Sequence, residues 1–180
     1  MKLKNMRLIL ITMAATAALI AVLGALAGAI VLYSGWYNVG ATVQHWQPVY
    51  TLLERGMHNS VRHHARDIRP PELTAPHMIS RGAAIYRERC VQCHGAPGVA
   101  QADIGKSMQP APGSLVDAGR RWKAGEMYWI TRHGIKLSGM PAWEFRMSDE
   151  DIWAVVAFLA TLPALSPQAY AELEAKGQRR

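Results

Sequence analysis

The sequence predicts an all-α protein, an N-terminal transmembrane helix followed by a compact helical domain. Two observations predict it. A run of 26 residues from Leu8 to Tyr33 carries no charge. Further on, apolar residues recur at helical spacing, first as Leu52, Leu53, Met57, Val61 and Ala65, then as Ile152, Val155, Val156 and Leu159. The 180 residues are 50% hydrophobic but only 18% charged, and the net charge is +7. That balance excludes an acidic disordered tail protein and suits nucleic acid, anionic lipid or acidic protein as a partner. Two cysteines are too few for a disulfide scaffold.

The first element is the charge-free run. As a helix it is about 39 Å long at ~1.5 Å per residue, enough to cross a hydrocarbon core of about 30 Å. Lys2, Lys4 and Arg7 precede it, and Tyr33, Trp36 and Tyr37 follow at the expected outer interface. The positive-inside rule puts the N-terminus in the cytoplasm and the rest of the chain outside. Ala25-Leu26-Ala27 resembles a signal-peptide cleavage site, but the apolar run continues past it, which favours a retained anchor. Gly24 and Gly28 form a Gly-x-x-x-Gly pair that suits close approach of another helix. The anchor is assigned to residues 1–35.

Residues 36–75 are assigned to a juxtamembrane amphipathic segment and linker. Its apolar stripe is backed by Arg55, His58, Arg62, His63, His64, Arg66 and Arg69. This is either a solvated helix face or an interfacial or docking helix. His58, His63 and His64 are not spaced to share an ion on a helix, so they are read as solvated. Pro70, Pro71 and Pro76 make a stiff extended connection. The folded domain is assigned to 76–165 and a polar tail to 166–180, as frayed helix or coil.

Both cysteines fall in Cys90-Val91-Gln92-Cys93-His94. Cys-x-x-Cys-His is the attachment signature of c-type haem. Each thiol adds to one porphyrin vinyl group, and two intervening residues separate the sulfurs by about the vinyl spacing. His94 is then an axial iron ligand. A thioredoxin-like pair needs a βαβ context, and a tetrahedral zinc site needs more ligands nearby.

A second axial ligand suits an electron carrier, and thioether sulfur raises the potential. Met108, Met127, Met140 and Met147 follow His94. Met147 precedes Ser148-Asp149-Glu150-Asp151, a capping box, and pairs with Ile152 as a hydrophobic staple. Met127 reads as helix core. Met140 stands between Gly139 and Pro141, which prevent helix and hold an extended loop, and it is the favoured ligand. Met108, in a Pro-rich loop, stays open as a rival, and His133 is a lesser one. The second nitrogen of His94 needs an acceptor, expected among the carbonyls of 107–114, with Pro110 the choice.

The domain resembles a class I cytochrome c. Arg81-Gly82-Ala83-Ala84-Ile85-Tyr86 leading into Cys90-Val91-Gln92-Cys93-His94-Gly95 resembles that family's first helix and haem motif. His133-Gly134-Ile135-Lys136 with Gly139-Met140-Pro141-Ala142-Trp143 resembles its methionine loop, and Asp151 to Leu159 its last helix. The resemblance spans about residues 76–165. It implies a compact α-helical single-haem electron carrier, with one covalent haem c and no enzyme activity by itself. It also implies that the first and last helices cross at a glycine, here Gly82 and Tyr86 against Trp153 and Val156.

The expected partners are a redox protein (an oxidase, a dehydrogenase or a quinol-oxidising complex) and the membrane, with no nucleic acid. The expected location is the periplasmic side of a bacterial inner membrane, with a single span. Residues 76–180 hold thirteen basic and ten acidic side chains, so steering by Lys106, Arg120, Arg121, Lys123 and Lys136 is weak. Arg120, Arg121 and Trp122 are alternatively candidates for the haem propionates. Three functional classes follow: a tethered carrier, a fixed haem subunit of a larger enzyme, and a catalytic or gas-sensing open haem. The third needs a vacant axial position, which a bound Met140 denies.

Overall fold

The computed structural model describes residues 3–177, so Lys2 and residues 178–180 lie outside the described residues. The chain divides into two units, residues 1–43 and 44–180. In the first, helix α1 (Leu3–Tyr33) contains the charge-free run and extends it toward the N-terminus through Arg7 and Lys4. None of its apolar window is buried, so its side chains have no protein core to enter. Thr12 turns its hydroxyl back to the Leu8 carbonyl at 2.9 Å, as a polar side chain does when it lacks other partners. A side chain added at Gly24 or Gly28 would meet nothing within 4 Å.

The second unit is helical, with no strand among its described residues. In order come α2 (Gln47–Ala65), α3 (Pro76–Arg89), α4 (Val91–His94), α5 (Asp103–Lys106), α6 (Ala118–Arg121), α7 (Ala124–His133), α8 (Asp149–Thr161) and α9 (Pro167–Gly177). Pro76 and Pro167 stand in the first turns of α3 and α9, where their missing N–H costs nothing. Ser148 caps α8 by accepting the Asp151 N–H at 3.2 Å, as the capping box predicts. Pro163 follows α8 in a 3-10 turn, Leu162–Ala164.

The core forms where α3 crosses α8, with α7 and α9 packed around that pair. Ile152, Val155, Val156, Phe158 and Leu159 of α8 are buried. Gly82 lies at the crossing, as expected, but its partners are Ala154 and Phe158 rather than Trp153 and Val156. A methyl at Gly82 would collide with the Ala154 carbonyl oxygen and stand 2.9 Å from Phe158 Cβ. Tyr86, one turn on, packs its ring on Phe158 with centroids 5.2 Å apart. Trp153 instead stacks on Tyr128 of α7 at 4.3 Å. Met127 is buried in α7, as read.

Two segments read as peripheral belong to this unit. Helix α2 packs against α7 and buries Val61 and Ala65. Its histidines are not simply solvated. His58 stacks on Trp122 at 4.4 Å, and His64 on Trp129 at 5.6 Å. The segment after α2 keeps no regular structure, yet Ile68 and Leu73 lie on the core. A methyl at Gly125 would approach the Ile68 carbonyl oxygen to 2.8 Å, so chain and helix touch backbone to backbone. The tail forms α9, and Tyr170 is 1% exposed within the core. Its polar composition hides one buried face.

Candidate functional site

The site begins where α3 ends. The Cys90 N–H donates to the Tyr86 carbonyl at 2.8 Å, and His94 closes the short α4 turn by donating to Cys90 O at 2.9 Å. Gly95 then turns the chain at φ +66°, a conformation that side chains resist. Tyr86 Oη donates to Gly95 O at 2.7 Å from within the core, which locks the motif to the α3–α8 crossing.

Helix α5 packs directly on this turn. Gly105 permits it, because a methyl there would stand 2.8 Å from Gln92 O and 2.9 Å from Cys93 Cα. Gln101 completes the clamp. Its side-chain amide donates to Cys93 O at 2.7 Å and to Pro112 O at 2.6 Å, joining the motif to the Pro-rich loop. That loop holds His94. The acceptor for His94 Nδ1 is the Gly113 carbonyl at 2.7 Å, not that of Pro110. The loop is the expected one, and the acceptor within it is Gly113 in place of Pro110. Gln101 grips the chain at Pro112, so the next carbonyl, that of Gly113, faces the imidazole.

A carbonyl only accepts, so the proton sits on Nδ1 and leaves the Nε2 lone pair free. Burial pushes the His94 pKa below the ordinary histidine value, opposed by the bond to Gly113. Burial thus favours the neutral ring, which is the state that ligates a metal. Cys90 and Cys93 are both free thiols one helical turn apart. Burial, then the neighbouring Cys93, pushes the Cys90 thiol up to about 12.

The methionine loop hangs from the end of α7. Gly134 has φ +67°, and a methyl there would meet Met140 O at 2.6 Å. Ile135 N donates to the same Met140 carbonyl at 3.3 Å. Ser138 Oγ donates to Ile135 O at 2.7 Å and accepts the Met140 N–H at 3.1 Å. Beyond the loop, Arg132 binds Tyr128 Oη at 2.8 Å, Glu144 at 3.3 Å and Asp149 at 2.9 Å. The Arg89 guanidinium lies over the Trp143 ring at 5.5 Å. Met140 is thus half-buried on a loop fixed at both ends. Met147 packs against the core before α8. His133 faces Glu144 at 3.7 Å. Met108 packs on Gly139, beside Met140. Arg121 donates to Ser114 O at 3.1 Å, Arg120 lies 3.7 Å from Asp117, and Trp122 is covered by His58. All three candidates for the propionates have protein partners.

The donor set fits haem c: two thiols free for thioethers, a neutral imidazole with one open nitrogen, and a thioether on a fixed loop. Gln101, Gly105 and Gly113 were missed as parts of this site. Only Pro112-Gly113 left a trace in the sequence, as a turn signal.

Fold and motif define a membrane-anchored c-type cytochrome with one covalently bound haem c. Residues 77–159 match the family described as cytochrome c oxidase, cbb3-type, subunit III. Over 92 residues the chain is 30% identical to the cbb3-type cytochrome c oxidase subunit FixP of Rhizobium meliloti (strain 1021), which covers 48% of this chain and 28% of that protein. It is 29% identical, over the same length, to the FixP subunit of Sinorhizobium medicae (strain WSM419). The chain therefore matches about a quarter of the length of these relatives.

Proposed function

We propose that this chain passes single electrons at the periplasmic face of a bacterial inner membrane, between respiratory-chain partners. Cys90 and Cys93 would hold the haem through thioethers, and His94 and Met140 would ligate its iron. When bound, haem iron alternates between ferric and ferrous and so takes up and releases one electron. The observation that carries this reading is His94. Its Nδ1 is committed to Gly113 O at 2.7 Å, on the same turn as two free thiols.

This chain's residues then do three things. Gly113 and Gln101 orient the imidazole and keep its tautomer. Ser138 and Gly134 hold the Met140 backbone in one place, so little rearranges as charge changes. Tyr86 ties the motif to the core. The basic residues Lys4 and Arg7 before the span support an N-terminus in the cytoplasm.

The similarity of residues 77–159 to subunit III favours a fixed place in an oxidase complex over free exchange among partners. In that setting Gly24 and Gly28 offer a small-residue face to a partner helix.

The test is purification of the full-length chain in mild detergent, with optical spectra and partner analysis on one sample. A ferric low-spin spectrum with the sulfur-to-iron charge-transfer band supports the ligand set, and its absence refutes Met140. A co-purifying oxidase supports the fixed subunit. Recovery of the haem protein alone supports a tethered carrier.

A further inference from the structure

Four methionines follow His94, and the structure sorts them. Met127 is buried in α7 and Met147 packs against the core, so both sulfurs serve packing. Met140 is the ligand proposed above. Met108 has no comparable place in the core. It is half-buried, and its side chain lies against Gly139. A methyl on Gly139 would collide with Met108 Sδ and stand 3.1 Å from Cε and 3.3 Å from Cγ. The Met108 sulfur thus sits on the α-carbon next in sequence to Met140.

The two thioethers are held differently. Met140 has its N–H bound by Ser138 and its carbonyl by Ile135. Met108 N–H reaches Gly105 O at 3.3 Å, a long bond, and then enters the Pro-rich loop. Its side chain is unbranched with three rotatable bonds, and such a chain re-aims at little cost. Gly139 offers it no side chain to climb over. The lesser rival, His133, has its ring beside Glu144.

We propose that Met108 is a reserve axial ligand, which binds the haem iron when Met140 is removed or displaced. This rests on the His94–Met140 reading. The exchange breaks one iron–sulfur bond and forms another, with no electron or proton transferred. Because the donor type is unchanged, the iron stays six-coordinate and low-spin.

The experiment compares four full-length haem-loaded chains in detergent: the wild type, M140L, M108L and the double variant. Leucine keeps volume and apolarity, so the fold is retained. Haem absorbance per chain and the helix signal check loading and folding. The readout is the ferric sulfur-to-iron band.

M108L should keep the band unchanged. M140L should keep it too, with a shifted maximum, and the double variant should lose it and turn high-spin. Loss of the band in M140L alone, with haem retained, overturns the reserve role and leaves Met140 as ligand. Loss in M108L alone makes Met108 the resting ligand and overturns both readings. A band that survives in the double variant overturns both as well. Where M140L loads too little haem, M140I repeats that arm with another apolar side chain that cannot ligate iron.

Discussion

Gly82→Ala should destabilise the haem domain by about 3 kcal/mol, the upper end expected for overpacking. The magnitude follows from what the methyl meets. It collides with the Ala154 carbonyl oxygen, a backbone atom that no rotamer change can remove, and stands 2.9 Å from Phe158 Cβ. Helices α3 and α8 must separate to admit it. Separation loosens Tyr86 against Phe158, side chains that are 1% and 0% exposed. Alanine returns up to about 1 kcal/mol of helix propensity over glycine, which is smaller than the packing loss. Against a total stability of about 5–15 kcal/mol, the deficit is large. The assay is guanidinium unfolding of the haem-loaded chain, followed by helix signal and haem absorbance. Gly119→Ala in α6 is the control, since a methyl there meets nothing within 4 Å. The same chemical change should leave stability equal or raise it by up to about 1 kcal/mol. A Gly82→Ala variant within about 0.5 kcal/mol of wild type would refute the crossing geometry, because that is the scale of an ordinary surface substitution.

Three further outcomes are expected. Before haem is attached, burial of Cys90 raises its pKa to about 12. The neutral thiol therefore dominates near pH 8, and alkylation of Cys90, read by mass spectrometry, should rise about tenfold per pH unit above it. A rate that levels off by about pH 9 would mean an exposed thiol. Gln101→Leu removes both bonds that join the motif to the Pro-rich loop, leaving two carbonyls unpaired, at a cost of about 1–3 kcal/mol. Imidazole or cyanide should then displace axial ligands at lower concentration, and an unchanged titration would show that the clamp is dispensable. Val61→Asp puts a carboxylate where the side chain is 1% exposed, against α7. Undocking of α2 should appear as faster hydrogen exchange over Gln47–Ala65, with the haem spectrum retained, and unchanged exchange would contradict the packing.

Some of this was readable because the signal is local. The absence of charge from Leu8 to Tyr33 and the spacing of Cys90, Cys93 and His94 need no knowledge of the fold. The same holds for the Ser148 cap and for the glycine and proline around Met140. The misses share a different cause. The acceptor for His94 is a backbone carbonyl, which every residue of the loop carries, so residue type could not separate Pro110 from Gly113. The partners of Gly82 differ from expectation by a step along α8, because neighbouring positions on an apolar helix look alike to periodicity. The stacking of His58 on Trp122 and of His64 on Trp129 joins positions far apart in the chain. Spacing along α2 alone therefore made these histidines look solvated. In α9, Tyr170 and Leu173 reach the core from a polar stretch whose apolar residues are too few to declare a face.

Helices α2 and α9 lie outside residues 77–159, the part that matches subunit III, yet they complete the domain. A chain of that size buries a limited core, and added apolar contact has a large effect on it. Here the additions fall on opposite sides in sequence: α2 on α7 and α9 on α3. Val61, Ala65 and Tyr170 are buried as a result. The matched residues carry the haem motif and the methionine loop, so the flanks act on stability and surface rather than on ligation. Where α2 covers α7, the outer surface is that of α2 itself, with Leu52 and Arg55 exposed. Substitutions in α2 are therefore expected to change stability and surface, while substitutions in the motif and loops should change the haem spectrum.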